Sequence, residues 1–308
     1  MLAGFWEAVG GKLADRWAVV SVPALIFWLS GLAAWIYHRG GLHTLRSQAW
    51  LKGLTSVEQI AVIVIALIVV TVSGVVVERA ATPVLRLLEG YWPQWIGPLR
   101  RRLTGWLASR ADAEAPAWQE AYKGARGANP TAEDLAAYNR LERHRRRRPT
   151  AAGYFLPTPI GNILRAAERR PIDKYGLDTT VVWPHLWLLL PETTRSELRA
   201  ARASLDAAVV AATWGILLCV FAPFTWLAVP IGLAVVIIAV TVVTPARAQV
   251  FGELIEAAYD LHRTALYQQL RWPLPANPEE EHAAGQELTA YLRRGSNKAI
   301  PTFTGSPA

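Results

Sequence analysis

Residues 207–246 read AAVVAATWGILLCVFAPFTWLAVPIGLAVVIIAVTVVTPA, 40 positions without one Asp, Glu, Lys or Arg. A bilayer core is about 30 Å thick and takes about 20 helical residues to cross. The stretch is therefore long enough for two spans. Pro223 and Pro230 argue against one straight helix, so a turn is expected near Ala222-Pro223-Phe224. Two further stretches lack charge: Trp17 to Tyr37, and the residues between Glu58 and Glu78. Each reads as one span. The expected spans cover about 17–37, 59–78, 205–222 and 226–245. A core helix of a soluble protein normally carries a polar stripe, and Ile60 to Val77 has none.

Composition agrees. Of 308 residues, 52% are apolar and 18% charged, and the mean hydropathy is +0.20. Soluble domains are nearer a quarter charged. This disfavours a soluble enzyme, a disordered chain and a disulfide-stapled secreted domain. The first span is longer than a signal-peptide core and no small-x-small cleavage site follows it. The one cysteine, Cys219, falls inside a span and says nothing about redox compartment.

The charge is uneven. Residues 79–205 hold 21 of the 32 Lys and Arg against 12 acids, whereas 1–16 hold 2, 38–57 hold 3 and 247–308 hold 6. With four crossings, both termini and the central segment share one side. The positive-inside rule makes that side the cytoplasm, with Arg79, Arg86, Arg199 and Arg202 nearest the span ends. The expectation is an all-α, multi-pass protein of the cell membrane. It has an N-terminal segment 1–16, spans one and two within 17–78, and a basic helical cytoplasmic domain 79–204. Spans three and four follow in 205–245, then C-terminal helices 246–295 packed on the central domain, and a disordered tail 296–308.

Capping signals set expected helix starts. Thr82-Pro83, Asn129-Pro130, Thr158-Pro159 and Asn277-Pro278 each pair an N-cap with Pro at the first helical position, and Thr194 with Glu197 forms a capping box. Gly90, Pro149, Pro171 and Arg293-Arg294-Gly295 are expected ends. Thr179 to Trp183 is β-flavoured and reads as irregular or a weak strand. The aromatic run from Tyr175 to Trp187 is expected to pack against the helix bearing Tyr259, Leu266 and Trp272.

Four features point toward function. Val84, Leu88, Tyr91, Trp95, Leu99, Leu103 and Trp106 recur at helical spacing. With Trp92, Arg86 and the basic Arg100, Arg101 and Arg102, they suit a helix lying in the headgroup layer, broken at Pro93 and Pro98. Arg145, Arg146, Arg147 and Arg148 attract phosphate and are expected to meet anionic lipid or to stay solvated. No nucleic-acid-binding motif accompanies them, so nucleic acid is an unlikely partner. Ala203, Ala207, Ala211, Gly215 and Cys219 form a ridge of small residues that lets a helix approach closely, either the fourth span or a second subunit of a homo-oligomer. Ionisable residues are missing inside the spans, which disfavours a charged transport relay. Thr213 and Thr241 remain pore candidates, each with a back-bond to its own helix as the ordinary alternative.

No residue set nominates itself as catalytic, and no metal or cofactor motif is present. His38 and His43 lack metal-site spacing, His185 reads as structural, and Asp260 and His262 do not face one another on a helix. The expected function is a membrane-anchored structural or signalling scaffold with a cytoplasmic protein partner. An oligomeric channel around spans three and four is the alternative, and a membrane-interface enzyme acting on lipid is the third.

Overall fold

A computed structural model describes residues 21–41 and 55–305. The N-terminal segment, the first four residues of the expected first span, most of the loop after it and residues 306–308 lie outside the described residues. Among the described residues the fold is all-helical, with no strand. The helices, in chain order, are α1 (Ser21–His38), α2 (Ser56–Glu89), α3 (Gly97–Ala125), α4 (Ala132–Arg146), α5 (Pro159–Tyr175), α6 (Thr179–Leu189), α7 (Glu192–Leu218), α8 (Ala228–Ile238), α9 (Thr244–Gln269) and α10 (Pro278–Arg294). Short 3-10 turns lie at Gln94–Ile96, Ala152–Tyr154 and Cys219–Phe221, and a π-helical turn at Ala239–Val243 joins α8 to α9.

Four stretches of helix are long and apolar enough to cross a membrane: α1, α2, α7 with its 3-10 extension, and α8 with α9. Ile60, Ile63, Ile65, Ile68, Ile231 and Ile238 are exposed along them, the reverse of a water-soluble fold.

The chain forms two compact units, 1–85 with 206–244, and 86–205 with 245–308. In the first, the Phe27 ring of α1 lies tilted against Trp214 at 4.9 Å and against Phe221 at 4.8 Å. Trp28 Nε1 donates to Ser73 Oγ at 3.1 Å, joining α1 to α2. The chain turns at residues 219–227, around Pro223 as expected. The π turn ends two residues before Pro245, which has no N–H to offer the Thr241 carbonyl four residues back.

The second unit is built on one apolar cluster. Leu177, Val182, Leu186 and Leu190 meet Leu198, Tyr259, Leu266, Trp272 and Leu288, all buried. The expected packing of the aromatic run against the helix bearing Tyr259 is found here. Gly176 ends α5 at φ +68°, and a Cβ on it would stand 2.1 Å from the His282 carbonyl oxygen of α10. Thr289 Oγ1 of α10 donates to the Gly176 carbonyl at 3.2 Å and accepts from Asp178 N at 3.1 Å.

Several expected boundaries are corrected. Thr179 to Trp183 is helix α6, not irregular chain. Asp178 caps it, accepting from Thr180 N at 3.0 Å, and the burial of Val182 and Leu186 outweighs β propensity. Thr82-Pro83 starts no helix: α2 runs through both to Glu89, and Gly90 closes it at φ +97°. Pro171 likewise lies inside α5, which ends at Gly176. Thr194 and Glu197 lie inside α7, which begins at Glu192, so no capping box forms there. The cap of α4 is Thr131, not Asn129, in a reciprocal box with Asp134. Pro98 opens α3 where a break was expected. In each case one cap signal competes with a neighbouring one or with tertiary packing. Thr158-Pro159 and Asn277-Pro278 cap α5 and α10 as expected.

Candidate functional site

The residues singled out for function fall into three places. The first is the aromatic stretch after α2. Its helical spacing is interrupted, because residues 91–93 are not helical. Trp92 turns back and donates to the Leu87 carbonyl at 2.8 Å. Trp95 and Trp106 stand 81% and 55% exposed, and Arg100, Arg101 and Arg102 are exposed beside them. None of the 29 residues of α3 is buried.

The second is the ridge of small residues on α7. It divides in two. Gly215 is buried against α8: a Cβ on Gly232 would stand 2.5 Å from the Gly215 carbonyl oxygen and 2.9 Å from Cys219 Sγ. Ala203, Ala207 and Ala211 are exposed. Thr213 donates to the Val209 carbonyl at 3.0 Å and Thr241 to the Ile237 carbonyl at 2.7 Å, so both hydroxyls bond within their own helices.

The third is the arginine run, in which Arg145, Arg146 and Arg147 are exposed and Arg148 is half-buried. α4 carries Glu133 and Asp134 in its first turn and Arg143 to Arg146 in its last, which suits the helix dipole. Each of the four side chains Arg145 to Arg148 goes to a different partner. Arg145 lies over the Trp118 ring at 3.8 Å. Arg146 pairs with Glu256 at 3.0 Å. Arg147 donates to Gln249 Oε1 at 2.7 Å. Arg148 pairs with Glu114 at 2.6 Å. The partners stand on α3 and α9, out of reach of local sequence reasoning.

Three residues that the sequence reading did not select join this cluster. Arg170 of α5 pairs with Glu256 and donates to the Arg146 carbonyl. Lys174 reaches Glu256 at 2.7 Å and Asp260 at 3.2 Å. Arg169 lies over the Tyr154 ring at 3.3 Å and pairs with Asp173 at 3.2 Å. Glu256 is almost fully buried. Burial alone would raise its carboxyl, but the bond from Lys174 and the charges of Arg170, Lys174 and Arg146 outweigh it and hold the group below the usual carboxylate range. His144, at the end of the same helix, is held below its ordinary value by desolvation and by Arg148, which together outweigh Glu114.

Between α4 and α5 this arrangement leaves a cavity of about 310 Å³, lined by Glu142, Arg145, Arg146, Arg148, Arg169, Arg170 and Asp173 among others. A smaller cavity of about 190 Å³ shares Arg145, Arg148 and Thr150 with it. Among the described residues no group of His, Cys, Asp and Glu is placed to hold a metal ion. Against protein-family models, curated proteins and solved structures, the chain shows no match.

Proposed function

We propose that the chain is a membrane-anchored scaffold whose basic helical unit binds a protein partner in the cytoplasm. The charge-free lengths of four helices hold it in the cell membrane with both termini inside, in keeping with the 21 basic residues of segment 79–205. The observation that supports partner binding is α3, a 29-residue helix that buries none of its residues and leaves Leu99 and Trp106 uncovered. Uncovered aromatic and aliphatic side chains beside exposed arginines are the composition of an interface core. An oligomeric pore has less behind it, since Gly215 closes on Gly232 and the two span threonines bond to their own helices.

The test is photo-crosslinking of the full chain in its native membrane, with a benzophenone side chain at position 106. A discrete protein adduct that disappears when Arg100, Arg101 and Arg102 become Gln is the expected result. Adducts to lipid alone would replace the scaffold by a helix lying in the headgroup layer. No adduct of either kind would remove both.

A further inference from the structure

We propose that the cavity between α4 and α5 binds a phosphate monoester group, carried by a lipid headgroup or by a free small molecule. The inference goes beyond the scaffold reading and needs no protein partner.

The cavity is lined by five arginines, Arg145, Arg146, Arg148, Arg169 and Arg170, and by two acids, Glu142 and Asp173. Neither acid is idle. Glu142 accepts from Trp118 Nε1 at 2.7 Å, and Asp173 takes both Arg169 and the Thr150 hydroxyl. Behind the wall, Glu256 is one carboxylate serving three cations, Arg146, Arg170 and Lys174. Arg145 is matched to a ring and not to a carboxylate. Arg169 Nε is buried and, among the described residues, donates to nothing. The wall therefore holds more positive charge and more N–H donors than its own acids satisfy.

Guanidinium groups are planar forks that match the oxygen spacing of phosphate, and charge-assisted bonds of this kind are the strong ones. A phosphate monoester carries close to two negative charges at neutral pH and three acceptor oxygens. That suits a wall where several guanidiniums converge and are under-neutralised. A volume of about 310 Å³ admits such a group with a few further atoms, and gives no track for a nucleic-acid backbone. The arginines are also held before any ligand arrives: Arg148 by Glu114, Arg170 by Glu256 and the Arg146 carbonyl, Arg169 by Tyr154 and Asp173. Pre-ordering lowers the entropy cost of binding.

The experiment uses the full chain in phosphatidylcholine nanodiscs. Glycerol 3-phosphate is titrated by calorimetry, with glycerol and sulfate as controls, and a second set of nanodiscs contains phosphatidic acid. The expected result is saturable binding of glycerol 3-phosphate, weakened at least tenfold in Arg145→Gln/Arg169→Gln, which leaves the Glu256 and Glu114 pairs intact. Arg145→Gln alone, whose guanidinium rests only on a ring, is the second variant if the double one does not fold, with at least threefold weakening expected. Competition by phosphatidic acid in the wild type, absent in the arginine variant, assigns the site to a lipid headgroup; binding without competition assigns it to a free phosphoester. The proposal is overturned if neither probe binds, if sulfate binds equally well, or if both arginine variants bind within twofold of wild type.

Discussion

Gly215 and Gly232 meet backbone to backbone across α7 and α8, so closely that a Cβ on Gly232 would stand 2.5 Å from the Gly215 carbonyl oxygen. Membrane helices lack a hydrophobic drive toward one another and associate by close van der Waals contact, for which small residues are needed. Gly232→Ala is expected to destabilise the chain by about 1–3 kcal/mol through overpacking. Gly215→Leu is expected to cost more, because Val235 and Val236 must move as well. Thermal unfolding in detergent measures both, and an unchanged melting temperature in the two variants would mean that the helices do not meet there.

Asp178 ties α6 to α10. Burial raises its carboxyl, but bonds from the Thr180 hydroxyl and amide and the Arg293 guanidinium prevail and hold it below the ordinary carboxylate value. Asp178→Ala removes a cap and an ion pair, at a cost of about 1–2 kcal/mol at neutral pH. Because the folded value is depressed, this stability is complete above the ordinary carboxylate range and is lost as pH falls through the lower folded value. The melting temperatures of wild type and variant should therefore differ at pH 7 and draw together as pH falls below the ordinary carboxylate range. A gap that stays undiminished throughout acid titration would assign the effect to packing.

The Tyr267 hydroxyl is buried and has no hydrogen-bond partner among the described residues. An unsatisfied buried polar group is a cost, so Tyr267→Phe is expected to leave stability unchanged or raise it by up to about 1 kcal/mol. Chemical denaturation midpoints decide it. A loss beyond about 1 kcal/mol would reveal a bonded water or another partner.

Thr213 and Thr241 bond to their own helices, and replacing both by Val is expected to change nothing that depends on a polar path. Proteoliposomes holding the wild type and the double variant should show the ion flux of empty liposomes. A conductance present in the wild type and reduced in the variant would restore the pore reading.

Much of the architecture is legible in one dimension. Charge-free lengths of about 20 residues, the turn at Pro223, the caps Thr158 and Asn277 and the stop at Gly295 are local patterns, each set by a bond or a solvation cost within a few residues. Where local signals competed, sequence reading failed. Pro83 and Pro171 look like boundaries but lie inside α2 and α5, and the β-branched residues of 179–182 are helical because Val182 is buried in the core with Leu186.

The arginine cluster draws the line most clearly. Four adjacent arginines in the sequence announce a demand for negative charge at Arg145 to Arg148. Only the tertiary structure decides how that demand is met, sending the four side chains to Trp118, Glu256, Gln249 and Glu114 and bringing Arg169 and Arg170 to the same wall. A span is determined by the chain against its solvent, which acts on each residue alone. A charge cluster is determined by which helices lie beside one another, and Coulomb attraction over a few ångströms takes no account of separation along the chain.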